Sequence, residues 1–113
     1  MKYEIINPSD RCFISAEDVR FAKIAGIMLG NGLYGLQDEN GETVLHIFES
    51  FEGALGLDSD QVREFIYGNA EKMAEVFESF EYAGERTSLN NIEAKAQGIA
   101  KLIRQKAEQR SCT

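Results

Sequence analysis

The sequence predicts an α+β fold in which a small antiparallel sheet packs against helices and a long amphipathic helix ends the chain. Three observations carry this expectation. Short β-branched and aromatic runs, bounded by turn residues, occupy the first half, and one pair is joined across Asn40-Gly41. Apolar residues at three-four spacing dominate the remainder. With 113 residues, 43% apolar and 27% charged, the chain can bury one continuous core under a solvated surface, so a single domain over residues 1–113 is expected.

Taken in order, Tyr3 to Ile6 read as a strand that stops at the turn formers Asn7-Pro8-Ser9-Asp10. Cys12 to Ile14 return as a short strand. Ser15 then offers an N-cap, followed by Glu17 and Asp18 in a first helical turn and by Phe21, Ile24, Ala25, Met28 and Leu29 at helical spacing. Gly30 should close that helix as a left-handed cap. Leu33 to Leu36 and Thr43 to Phe48 form a hairpin around the turn 38–42. Ser59-Asp60 can cap a helix through Val62, Phe65 and Ile66; Gly68-Asn69 interrupts the pattern before Met73, Val76, Phe77 and Phe80 resume it, giving one kinked helix or two. Thr87 or Ser88 caps the last helix, whose stripe runs Leu89, Ile92, Ala96, Ile99, Ile103. Arg104, Lys106 and Arg110 gather towards its end, where cations meet the negative pole of the helix dipole.

Nineteen acidic against twelve basic residues leave a net charge of −7, which repels a phosphate polymer and disfavours binding to DNA or RNA. A local basic pocket can still hold a small anion, because close contacts outweigh a diffuse field screened over roughly 8 to 10 Å. Cys12 and Cys112 lie near opposite ends without CxxC spacing, and they read as reduced thiols with no required disulfide. The start MKYEIINPSD lacks the regions of a secretory signal, and no apolar run approaches the ~18 residues of a membrane span. A cytoplasmic protein that does not engage membranes is expected.

Chemistry-bearing groups are sparse. His46 is the sole histidine, sits between Leu45 and Ile47, and should face outwards from a strand; no nucleophile setting surrounds it. Glu49, Glu52, Glu71, Glu75, Glu78 and Glu81 follow no metal-binding pattern and read as a solvated face. Neither an enzyme nor a cofactor or metal site is indicated. The stretch LGNGLYG, with Gly26 just before it, is neither a P-loop nor a dinucleotide fingerprint. It is either a helix cap leading into a tight hairpin, or a backbone surface around Asn31 and Tyr34 approached by a ligand or a neighbouring subunit. The segment FEYAGERTSLNN is the densest polar and aromatic constellation. Phe80 or Tyr82 can stack on a base, Arg86 can fork onto phosphate, Thr87 and Ser88 expose a helix start that favours anions, and Asn90 and Asn91 can bond ribose or a base edge. The same residues also suit a simple well-capped helix.

The opening KYEIINPSD, the stretch LGNGLYG and the later RTSLNNIEAKAQGIAKLI together resemble the phage-encoded Thoeris anti-defence proteins of the first described type, over nearly the whole chain. The resemblance implies a sponge that sequesters cyclic ADP-ribose isomers, immune signals of bacterial hosts, without cleaving them. It also implies a homo-oligomer, dimer or hexamer, with ligand pockets between subunits, and in some members separate sites for cyclic trinucleotides. The family's key aromatic and asparagine carry over onto Phe80 and Asn90, with Tyr82 and Asn91 close by. The rival reading, resting on the −7 charge, is an acidic phage protein that inhibits a host defence protein by direct binding.

Overall fold

The computed structural model describes residues 1–6, 11–30, 35–46, 49–82 and 92–111. Strand β1 (Lys2–Ile6) pairs antiparallel with β2 (Arg11–Ser15), setting Tyr3 opposite Ile14 and Ile5 opposite Cys12. All four side chains are buried, because alternation along a strand sends every second residue to one face. On the other side of β1 lies β3 (Gly35–Gln37), where Leu36 meets Ile5, and β4 (Thr43–His46) follows with Leu45 opposite Leu36. The expected α+β class is what the structure shows, as an antiparallel sheet of order β4-β3-β1-β2-β5.

The turn between β3 and β4 forms because Asp38 Oδ1 accepts from the N–H groups of Asn40 (2.9 Å) and Glu42 (3.0 Å), while Gly41 takes φ +81° without a steric penalty. The edge strand β5 (Glu81–Tyr82) pairs with β2. Sequence periodicity gave no sign of it: two residues show no alternation, and Phe80 continues the helical spacing before it.

Helix α1 (Val19–Met28) starts later than the sequence suggests. Ser15 is the last residue of β2, and its N–H donates to Ser79 Oγ at 2.8 Å. Asp18 is the cap, accepting from the Arg20 N–H at 2.8 Å and also holding the Arg20 guanidinium, so a charged acceptor displaces the neutral hydroxyl from that role. Nor is Gly30 a left-handed cap: the helix closes at Leu29 with φ −89°, and the Gly30 N–H donates to Ile27 O.

A five-residue helix, α2 (Phe51–Leu55), escapes the sequence reading because it is too short to display a period. Ser50 caps it and Gly56, at φ +67°, ends it. The next element resolves into two helices, α3 (Ser59–Gly68) and α4 (Ala70–Glu78), with Asn69 between them. Asp58, not Ser59-Asp60, caps α3 in a reciprocal box with Gln61.

The final helix, α5 (Ile92–Ser111), packs on α4 through Ile92, Ala96, Ala100 and Ile103, and residues 83–91, including the predicted caps Thr87 and Ser88, lie outside the described residues. Of the three cations assigned to its end, only Arg110 occupies the last turn. Arg104 instead reaches across to α4, donating to Glu71 (2.7 Å) and Glu78. These bonds hold both carboxyls below the usual carboxylate range and push the guanidinium up.

Gly26 and Gly35 have a packing role. A Cβ on Gly26 would stand 2.6 Å from Leu45 Cδ2, and one on Gly35 would stand 2.8 Å from Leu45 O. Leu45 thus occupies the space that both glycines leave, drawing α1 and β3 onto β4. By contrast, a Cβ on Gly98, exposed in the middle of α5, would meet nothing within 4 Å. Urea unfolding should therefore show Gly35→Ala losing about 1–3 kcal/mol by overpacking, and Gly98→Ala gaining about 0.4–1 kcal/mol from helix propensity and reduced unfolded-state freedom.

The clamp on Arg104 makes a pH prediction. Because both glutamate carboxyls are depressed in the folded state, their stabilisation is complete above the unfolded value of about 4.3 and disappears as pH falls through the lower folded values. Arg104→Gln should lower the melting temperature at neutral pH and flatten its decline between about pH 4.5 and 2. Thermal melts across that range check it, and an unchanged acid slope would refute the coupling.

Candidate functional site

Among the described residues no polar or charged side chain is buried, so the polar groups they offer to a ligand lie at the surface. One region gathers cations around an aromatic ring. Arg63 and Tyr67 stand one turn apart on α3, as do Lys106 and Arg110 on α5, and residues four apart share a helix face. The two helices pack so that Arg63, Tyr67, Lys106, Gln109 and Arg110 line an open groove of about 340 Å³. A neighbouring hollow of about 210 Å³, lined by Glu64, Tyr67, Gly68, Ala107 and Arg110, lies against the same Tyr67 and Arg110.

The geometry inside the groove is definite. The Arg110 guanidinium carbon sits 4.8 Å from the centre of the Tyr67 ring, and Arg110 Nη2 donates to Glu64 Oε1 at 2.7 Å. The guanidinium is thus held against the ring and towards the carboxylate at once. Among the described residues that line these two hollows, Arg63, Lys106 and Arg110 are the cations and Glu64 is the carboxylate, on a chain whose net charge is −7. That local reversal of sign, beside a half-buried phenol ring, suits an anion attached to a flat ring system.

Two other hollows are less suited to this chemistry. A cleft of about 270 Å³ between the end of β2, the start of α1 and α4 has an apolar floor of Ala16, Phe21 and Val76. Its charges balance: Lys72 approaches Glu17 at 3.7 Å, Glu75 lines the same wall, and the Met1 ammonium donates to Ala16 O at 2.8 Å. The hollow of about 40 Å³ beside Gly26, Gly35 and His46 has room for roughly one water.

The sequence-predicted site residues fare unequally. Phe80 is 7% exposed and belongs to the buried core, so its ring packs on protein. Tyr82 lies in β5 with Cys12 as its register partner. Arg86, Thr87, Ser88, Asn90 and Asn91, and likewise Asn31 and Tyr34, lie outside the described residues. His46 is exposed on β4 while Leu45 is buried, as alternation requires. Glu71, Glu78 and Glu81 are surface groups with cation partners, Arg104 for the first two and Lys2 for the third. Cys12 is buried in the core, and Cys112 is outside the described residues.

Sequence reasoning missed Arg63, Glu64 and Tyr67. It assigned Lys106 and Arg110 to the helix dipole, and their spacing of four was the available signal. What it lacked was the knowledge that α3, some 40 residues earlier, lies alongside. Among the described residues no cluster of His, Cys, Asp and Glu could hold a metal ion, and no helix is long and apolar enough to cross a membrane. No protein-family model, curated protein or solved structure matches the chain.

Proposed function

We propose that this protein binds and sequesters cyclic ADP-ribose isomers without degrading them, and thereby inhibits the Thoeris immunity in which they act as signals. The observation that carries an anionic, ring-bearing ligand is the groove of Arg63, Tyr67, Lys106 and Arg110, a cationic and aromatic surface on an otherwise acidic molecule. The resemblance carried by KYEIINPSD, LGNGLYG and RTSLNNIEAKAQGIAKLI supports the same class of ligand. In this reading the polar stretch after the buried Phe80, residues 82–91, supplies the seat of the cyclic ADP-ribose isomer, with Asn90 bonding its polar edge. The groove at the far end of α5 takes further phosphate-bearing rings, including cyclic trinucleotides.

Magnitudes argue for more than one chain. Nanomolar capture needs about 12 kcal/mol. A charged hydrogen bond contributes about 1.5–3 kcal/mol and a stacked base about 1–3 kcal/mol, before the cost of association. One exposed groove falls short of this, so a homo-oligomer with pockets completed by a neighbouring subunit belongs to the proposal. The setting is the cytoplasm of an infected bacterium.

Incubation with a cyclic ADP-ribose isomer, removal of free ligand and heating should release the compound intact. A chemically altered product would mean an enzyme, and no uptake would favour direct binding to a host protein. Asn90→Ala should weaken this binding by about 5- to 150-fold, the cost of a polar group left unpaired. Calorimetry on the folded variant measures it, with Glu75→Ala as an exposed control expected to change nothing. Light scattering should show an oligomer; a monomer with full affinity would refute the shared pocket.

A further inference from the structure

We infer that Glu64 is a specificity-determining residue whose carboxylate occupies the anion seat of Arg110, so that the groove admits ligands carrying several phosphates and turns away those carrying one. The inference rests on the reading of the α3–α5 groove as a phosphate-binding surface. Glu64 and Tyr67, three residues apart on α3, both engage Arg110: the carboxylate takes a guanidinium N–H at 2.7 Å, and the ring lies 4.8 Å from the guanidinium carbon. An oxygen of a phosphodiester seeks the same donor in the same geometry as a carboxylate oxygen does. Glu64 is therefore a built-in mimic of the ligand.

Exchange at this seat is feasible because the pair is exposed, 44% for the Arg110 side chain and 69% for that of Glu64, and exposed ion pairs couple weakly. A ligand with one phosphodiester gains at Arg110 what it takes from Glu64, and afterwards lies beside the displaced carboxylate. A ligand with two or more phosphates can instead engage Arg63 and Lys106, which line the same groove, and leave the pair of Arg110 and Glu64 in place. The carboxylate thus weakens a ligand that depends on Arg110 more than one that can do without it, and that difference is the selectivity. Such a filter suits a sponge, which would otherwise fill with abundant single-phosphate nucleotides.

The test uses two adenine probes, 3′,5′-cyclic AMP with one phosphodiester and cyclic triadenylate with three, titrated by calorimetry into the wild-type protein and the variants Glu64→Gln, Arg110→Ala and the two combined. Circular dichroism confirms that each variant is folded. Wild type should bind cyclic triadenylate and hardly register cyclic AMP. Glu64→Gln should strengthen cyclic AMP binding by about 5-fold, the scale of an exposed ion pair, and strengthen cyclic triadenylate less, narrowing the ratio between them. Adding Glu64→Gln to Arg110→Ala should have little effect, since the seat is gone. If Arg110→Ala weakens both probes but Glu64→Gln leaves their ratio unchanged, the role of Glu64 is overturned while the groove stands. If Arg110→Ala weakens neither probe in the Glu64→Gln background, or neither probe binds wild type or Glu64→Gln, the groove reading itself falls.

Discussion

Ala74 on α4 and Ala96 and Ala100 on α5 are completely or almost completely buried, and the helices that carry them lie against one another. Small side chains allow two helix backbones to approach, and the larger Met73, Phe77, Ile92 and Ile103 fill the space around them. Much of the rest depends on this contact. It seats α5 beside α4, and α4 is joined to α3 through the single residue Asn69. Wherever α4 holds α5, the second half of α5 must therefore pass along α3. The cationic groove is the surface expression of that constraint.

Electrostatics reinforce the same contact from outside. Arg104 spans Glu71 and Glu78, two residues on one face of α4 seven positions apart, and so pins the register of α5 along α4. This one cation is spent on structure, which leaves Arg63, Lys106 and Arg110 to define the groove. Position decides the difference: Arg104 looks towards the acidic face of α4, while Lys106 and Arg110 look towards α3. An acidic protein can in this way keep a cationic surface, because Arg63, Lys106 and Arg110 converge on one groove even though Glu64 pairs with Arg110 there.

The sheet depends on a second close approach. Leu45 fills the space left open by Gly26 and Gly35, which brings α1 down onto the hairpin and buries Leu36 and Ile5 beside it. The glycine-rich stretch thus has a mechanical explanation at its ends, Gly26 and Gly35. Its middle, with Asn31 and Tyr34, lies outside the described residues.

What the sequence determined by itself is the local structure. Alternation in Tyr3–Ile6 and Cys12–Ile14, the Asp38 and Gly41 turn chemistry, and the stripe from Ile92 to Ile103 each state which face of an element is apolar, and that is a property of neighbouring residues. The tertiary structure decided what such local signals do not contain. It showed that Phe80 leaves the helix and is buried, that Asp18 and Asp58 outcompete nearby serines as caps, and that the α3–α4 pattern breaks into two helices at Asn69. Above all it brought Arg63, Glu64 and Tyr67 to Lys106 and Arg110. Periodicity reports that a face will be covered but not by which distant element, and a groove between two helices exists only once their packing has chosen the partner.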